Sequence, residues 1–164
     1  MLEVKKVTWR EWLGLGAGLL AAVSLFLTWT TLSASAPEVQ EGLQSLPRED
    51  VVRSAWNSDF LSWFPPLVLL VVGVAVVLLG QVGKVHQSGL PQLWLVAATI
   101  VLLLMAIGWY AIELQFGSEE RALFEAGGIV VGSGFGRYLA FAAGVVSLVA
   151  AILDSRATRR TPTP

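Results

Sequence analysis

Four stretches of the chain stay almost free of charge over long runs. They are Trp12 to Trp29, Phe60 to Gly80, Leu93 to Ile112 and Phe135 to Leu153. A helix rises about 1.5 Å per residue, so crossing a hydrocarbon core takes about 20 apolar residues, and about 17 suffice. Each stretch meets that length. The third is the cleanest, with no charge from end to end. In the second, Pro65-Pro66 are expected to fall in the first turn, where helical N–H groups lack partners and proline is tolerated. The fourth carries one charge, Arg137, close enough to its start for the long side chain to reach the interface. Trp12, Trp29, Trp94 and Trp109-Tyr110 sit near the ends of these runs, where aromatic rings favour the lipid–water boundary. The pattern predicts four transmembrane helices, outer loops at 30–59 and 113–134, and an inner loop at 81–92. That inner loop is short, so the second and third helices should be antiparallel neighbours.

The outer loops carry patterns of their own. Ser33 to Pro37 reads as a turn, and Glu38 to Leu46 as one or two helical turns. Pro47 suits a helix start, with Ser45 as cap and Glu49-Asp50 in the first turn. Val52, Ala55, Trp56 and Phe60 recur at helical spacing and would form one apolar face. In the second loop Ser118 would cap a short helix, with Glu119 and Glu120 at its positive end and Gly127-Gly128 as its stop. Leu123 and Phe124 supply its apolar side. The fold expected is all-α: one membrane domain over residues 1–164, a four-helix bundle under a small extracytoplasmic helical cap. The competing picture is two solvated loops. The cap is preferred because Trp56, Leu123 and Phe124 need cover.

Composition agrees with the membrane reading. Hydrophobic residues make up 55% of the 164 and charged residues 14%, against about 25% charged in a typical soluble domain. Net charge is −1, so no basic surface points to nucleic acid. There is no cysteine, which excludes disulfides, thiolate metal sites and thiol redox chemistry. Lysine and arginine set orientation. Lys5, Lys6, Arg10, Lys84, Arg156, Arg159 and Arg160 fall on one side, and Arg48, Arg53, Arg121 and Arg137 on the other. The first side is therefore expected in the cytoplasm, with both chain ends. A rival reading takes the basic start, the first apolar run and Ala34-Ser35-Ala36 as a cleavable signal peptide. Pro37 directly after the small residues disfavours cleavage, so an uncleaved first helix is expected.

Several motifs bear on chemistry. Gly132-Ser-Gly134-Phe-Gly136 has its third glycine too early for a dinucleotide-binding loop, and no acidic residue follows at the right distance. Gly14-x-Gly16-x-Gly18 and Gly132-x-x-x-Gly136, continued by Ala140 and Gly144, are small-residue stripes that let helices approach closely in lipid. Packing within the bundle is the plainer reading and a dimer interface the functional one. His86 stands alone, without the further ligands a metal needs. Glu113 and Arg137 are expected at neighbouring helix ends as a structural ion pair. Ser24, Thr99 and Ser147 can bond back to the preceding turn, and none has a base beside it that would make it a nucleophile. No span holds a carboxylate at mid-depth, as proton-coupled transport requires. Neither the aspartate clusters of metal-dependent lipid synthases nor the paired histidines of histidine phosphatases are present.

Ser24 to Trp29 (Ser-Leu-Phe-Leu-Thr-Trp), Ser54 to Phe60 (Ser-Ala-Trp-Asn-Ser-Asp-Phe), Gly134 to Gly136 and a closing Ala-Ile-Leu-Asp follow one another in an informative order. This order resembles small uncharacterised four-span membrane proteins of actinobacteria, the high-GC Gram-positive bacteria. Thr28 stands where that family usually has proline. The resemblance implies topology and brings no activity. A non-enzymatic multi-pass plasma-membrane protein is expected, without cofactor or metal. It would act through binding as an accessory or scaffold subunit in the cell envelope, in contact with membrane lipid and with a protein partner or a second copy. Trp56, Phe60, Leu123 and Phe124 are the expected partner or lipid surface. The alternatives are a homo-oligomeric channel or carrier, or a protein binding lipid or another hydrophobic ligand between cap and bundle.

Overall fold

In the computed structural model the described residues are 7–81, 89–112 and 116–159. Along them run α1 (Trp9–Ser24), β1 (Thr28–Ala34), α2 (Pro37–Ser45), α3 (Arg48–Val51) and β2 (Val52–Ser54). A 3-10 turn (Ala55–Asn57), α4 (Phe60–Gly80), α5 (Leu90–Tyr110), α6 (Ser118–Gly127), β3 (Ile129–Ser133) and α7 (Phe135–Arg159) follow. The four longest helices close a ring in which α1 and α5 each pack against both α4 and α7. Among the described residues, α4, α5 and α7 are long and apolar enough to cross a membrane.

The first apolar run behaves differently from the expected span at 12–29. Its helix is 16 residues long, about 24 Å at about 1.5 Å per residue. Beyond Ser24 the backbone tightens: Leu25, Phe26 and Leu27 donate to carbonyls three residues back. The chain then turns extended at Thr28, where Thr28, Thr30 and Thr31 favour a pleated surface. The start of α1 is fixed by a reciprocal cap. The Thr8 hydroxyl accepts from the Glu11 N–H, and the Glu11 carboxylate accepts from the Thr8 N–H at 2.6 Å.

The cap differs from the all-helical one expected. A three-stranded antiparallel sheet, in the order β2-β1-β3, lies at its centre. β1 pairs with β3 from Thr30–Ser133 to Ala34–Ile129 and with β2 from Thr28–Ser54 to Thr31–Val52, with an irregularity between Thr28 and Thr30. One loop supplies β1 and β2 and the other supplies β3, so neither loop makes the sheet alone. The short helices flank it. The N–H of Ala34 donates to the Gln40 side chain at 2.8 Å, tying α2 to the end of β1. In α6 the N-cap is Gly117, whose N–H donates to the Glu120 carboxylate, and Ser118 is the first helical residue. Gly128, at φ +62°, ends that helix in a left-handed conformation that glycine adopts at no steric cost.

Inside the ring the side chains are small. Ala17, Ala21, Ala98, Ala140, Ala143, Ala150 and Ala151 are buried, around Leu25, Leu69, Val101 and Trp94. Many large aliphatics face outward on all four helices, among them Leu19, Val71, Ile100, Leu103 and Val149. Glycine brings α1 and α4 into backbone contact. A Cβ at Gly18 would lie 2.9 Å from Leu70 Cα, and one at Gly73 would lie 2.8 Å from the Gly14 carbonyl oxygen. Pro65 and Pro66 sit in the second turn of α4 rather than its first, so the carbonyls of Leu61 and Ser62 lack their usual N–H donors.

Candidate functional site

The junction between bundle and cap is built around Arg137. The side chain enters from the first turn of α7 and is 4% exposed. Its Nη1 donates to the Gly108 carbonyl at 3.0 Å, and its Nη2 lies 3.5 Å from the Thr30 hydroxyl oxygen. The guanidinium sits over the Trp29 ring, 5.5 Å from its centre. Gly108 belongs to the last turn of α5, where carbonyls run out of helical donors and carry the negative end of the helix dipole. One cation thus joins α5, α7 and β1. Burying it costs several kcal/mol of hydration. The charge-assisted bond and the aromatic face offset part of that, the latter by about 2 kcal/mol when desolvated. Nε is buried without a hydrogen-bond partner. Among the described residues, the Asp59 carboxylate is an acidic group whose field reaches the guanidinium. It caps α4, accepting from the Ser62 N–H at 3.0 Å and the Ser62 hydroxyl at 2.6 Å.

Trp29 and Trp94 are buried, not boundary anchors. Trp29 Nε1 donates to the Ser24 carbonyl at 2.6 Å, and Gly136 leaves room for its indole. Trp94 Nε1 lies 3.2 Å from Ser147 Oγ, and a Cβ on Gly14 would come within 2.5 Å of its Cζ2. Gly144 gives room to Leu102 and Met105 of α5. Gly132 lies in β3 against Thr31, not on a helix, so the stripe on α7 begins at Gly136. Gly14, Gly18, Gly136 and Gly144 are therefore occupied by neighbours within the chain.

Two groups of aromatic side chains mark the cap end. Phe26, Trp56, Phe60, Trp63 and Phe64 form a continuous ridge, with Trp56 stacked on Trp63 at 6.0 Å and Phe60 on Phe64 at 4.5 Å. Phe26, Trp56 and Phe60 remain exposed. On another side Trp109 meets the edges of Tyr138 and Phe141, beside exposed Tyr110 and Phe135.

The chain matches no protein-family model, no curated protein and no solved structure. Its site is therefore read from geometry alone.

The four residues expected to form one binding surface fall into two places. Trp56 and Phe60 belong to the ridge. Phe124 meets Phe116 edge-on at 5.0 Å, and Arg53 lies over the Phe116 ring at 4.8 Å. Leu123 is exposed on α6. Between α6 and β3 runs an open groove of about 490 Å³ lined by Arg121, Phe124, Glu125, Ile129, Val130 and Val131. β3 is an edge strand, so one side of its backbone is unpaired by the sheet. Glu113 lies outside the described residues, and so does His86. For Arg137 the partners found are Gly108, Thr30 and the Trp29 ring. Sequence reasoning missed this carbonyl cap and missed β3, although Ile129-Val130-Val131 is a β-branched run. Among the described residues no three histidine, cysteine, aspartate or glutamate side chains are grouped to hold a metal.

Proposed function

We propose that this chain is a multi-pass protein of a bacterial plasma membrane that works by binding, as an accessory or scaffold subunit of an envelope complex. In this reading four helices cross the bilayer, the cap lies outside, and both chain ends lie in the cytoplasm. The membrane placement rests on one observation above the rest: alanine and glycine predominate inside the ring, around a few larger residues such as Leu69, Trp94, Val101 and Met105, while many large aliphatics lie exposed outside it. A water-soluble bundle would bury those aliphatics; lipid solvates them, and small residues let the backbones close up. Exposed aromatics at both ends fit the two boundaries: Trp9 and Trp12 at one, Phe26, Phe60, Tyr110 and Tyr138 at the other. α1 is the short member, yet Leu13, Leu19, Leu20 and Val23 point outward like the aliphatics of its neighbours. Its close packing with α4 and α7 favours a retained first helix over a cleaved signal peptide. The bacterial source is taken from the sequence resemblance and the orientation from the basic residues.

The cap supplies the binding surface. The groove between α6 and β3, with exposed Leu123 and Val130 beside an edge strand, suits a protein partner. The channel or carrier reading leaned on glycine stripes between copies, and Gly14, Gly18, Gly136 and Gly144 of those stripes are taken up by contacts within the chain. The test is to tag the C-terminus, solubilise native membranes in mild detergent and identify what co-purifies. A stoichiometric protein that Leu123→Glu releases, at unchanged thermal stability, supports the reading. Recovery of the chain alone, or only with itself, removes it and gives liposome flux the next turn. Orientation is testable because the chain has no cysteine. Val130→Cys should react with a membrane-impermeant maleimide on intact cells, and Arg156→Cys only after lysis; the reverse pattern would invert the topology.

A further inference from the structure

The end of the bundle opposite the cap carries a second feature. Where the start of α1 meets the end of α7, Trp9, Arg10, Leu153, Arg156 and Ala157 line a groove of about 430 Å³. Arg10 is held in place: its Nε lies 3.2 Å from Asp154 Oδ1, and its Nη1 donates to the Leu153 carbonyl at 3.2 Å. The Nε contact falls outside hydrogen-bond geometry, so it acts as a charge pair. Asp154 is buried, and it pairs with Arg10. Arg156 is exposed and has no ion-pair partner among the described residues. Among the described residues the groove thus sets two cations, Arg10 and Arg156, against the one carboxylate that pairs with Arg10. Trp9 is 60% exposed, and Leu153 is exposed beside it. One helical turn deeper stand Leu13 on α1 and Val149 on α7, four residues from Trp9 and Leu153 and thus on the same faces. Both are exposed. The groove thus has a cationic mouth, an indole at its rim and an apolar floor running down the side of the bundle.

We propose that this groove holds one anionic phospholipid, with its phosphate between Arg10 and Arg156 and an acyl chain along Leu13, Leu153 and Val149. The charge at the mouth selects an anion. The apolar track below selects one with a hydrocarbon tail, which a free phosphate lacks. Arginine supplies a planar fork for phosphate oxygens, and basic pockets between helix ends suit such head groups. The inference rests on the membrane placement proposed above and goes beyond the binding role of the cap.

The test uses the full-length chain, delipidated in mild detergent. Phosphatidylglycerol and phosphatidylcholine are titrated in turn and retained adducts counted by native mass spectrometry. One phosphatidylglycerol should stay bound where phosphatidylcholine is lost. Arg156→Gln should weaken that adduct about fivefold, the effect of one cation near a phosphate. Arg121→Gln on the cap should leave it unchanged. Equal retention of the two lipids overturns the proposal, as does an Arg156→Gln chain that binds like wild type. Displacement of the lipid by millimolar inorganic phosphate would overturn the lipid in favour of a free-phosphate site. Alkaline carbonate extraction separates this failure from failure of the membrane reading. A chain that stays in the membrane but binds no phosphatidylglycerol loses only the groove, whereas one that washes off loses both.

Discussion

Adding one methyl group at two positions of α1 should have opposite effects. Gly18→Ala would place a Cβ 2.9 Å from Leu70 Cα and 3.0 Å from the Leu69 carbonyl oxygen, both backbone atoms of α4. Backbone cannot swing aside as a flexible side chain can, so the two helices must separate by several tenths of an ångström. Overpacking of this kind costs about 1–3 kcal/mol. Gly16→Ala, two residues away on the same helix, meets nothing within 4 Å. Both substitutions gain the same helix propensity, about 1 kcal/mol, and this gain cancels in the comparison. The overpacking cost alone therefore separates the variants, by about 1–3 kcal/mol. For a chain of 164 residues, a change of 1 kcal/mol moves the midpoint by about 2–4 °C. Gly16→Ala should melt at or above wild type, and Gly18→Ala about 2–12 °C below Gly16→Ala. Thermal unfolding in one detergent, followed by tryptophan fluorescence, reads this directly. Equal midpoints, or a more stable Gly18→Ala, would refute backbone contact between α1 and α4.

Other contacts give separate tests. Gly14→Ala should destabilise the wild type because its methyl meets the Trp94 indole, but cost much less in a Trp94→Phe background, where the larger ring system is gone; a thermal double-mutant cycle measures the coupling, and additive effects would remove it. Asp59→Ala should lose about 1 kcal/mol with the cap of α4, whereas Asp59→Asn keeps an acceptor and most of that stability; equal losses in denaturant titration would contradict the capping role. Arg137→Lys keeps the charge but gives up the fork that reaches both Gly108 and Thr30. It should cost about 1–3 kcal/mol and speed amide exchange in β1 and β3; unchanged exchange would mean that the arginine does not hold the sheet to the bundle.

The sequence by itself determined the helical frame. Uncharged runs long enough to cross a bilayer mark α4, α5 and α7, because helix length against hydrocarbon thickness is a local quantity. The short helices of the cap were legible from their acidic first turns and from the glycines after α6, but their caps and extent were not: Ser45 ends α2, Pro47 and Gly117 hold the N-cap positions expected of Ser45 and Ser118, and Val52 to Ser54, expected on a helical face with Ala55 and Trp56, is strand. Only the tertiary structure decided the sheet. β1 and β3 come from separate loops and neither is stable alone, so Thr28-Trp29 read as the end of a span, Thr30 to Ala34 as outer loop and turn, and Ile129 to Ser133 as the end of the second outer loop until the bundle brought them side by side. It decided the surroundings of Trp29, Trp94 and Arg137 as well. Hydropathy places an indole or a guanidinium near a helix end but does not say whether it faces lipid or a neighbouring helix. That choice depends on which glycines lie opposite and which carbonyls are left without donors, and both are set by how the helices pack.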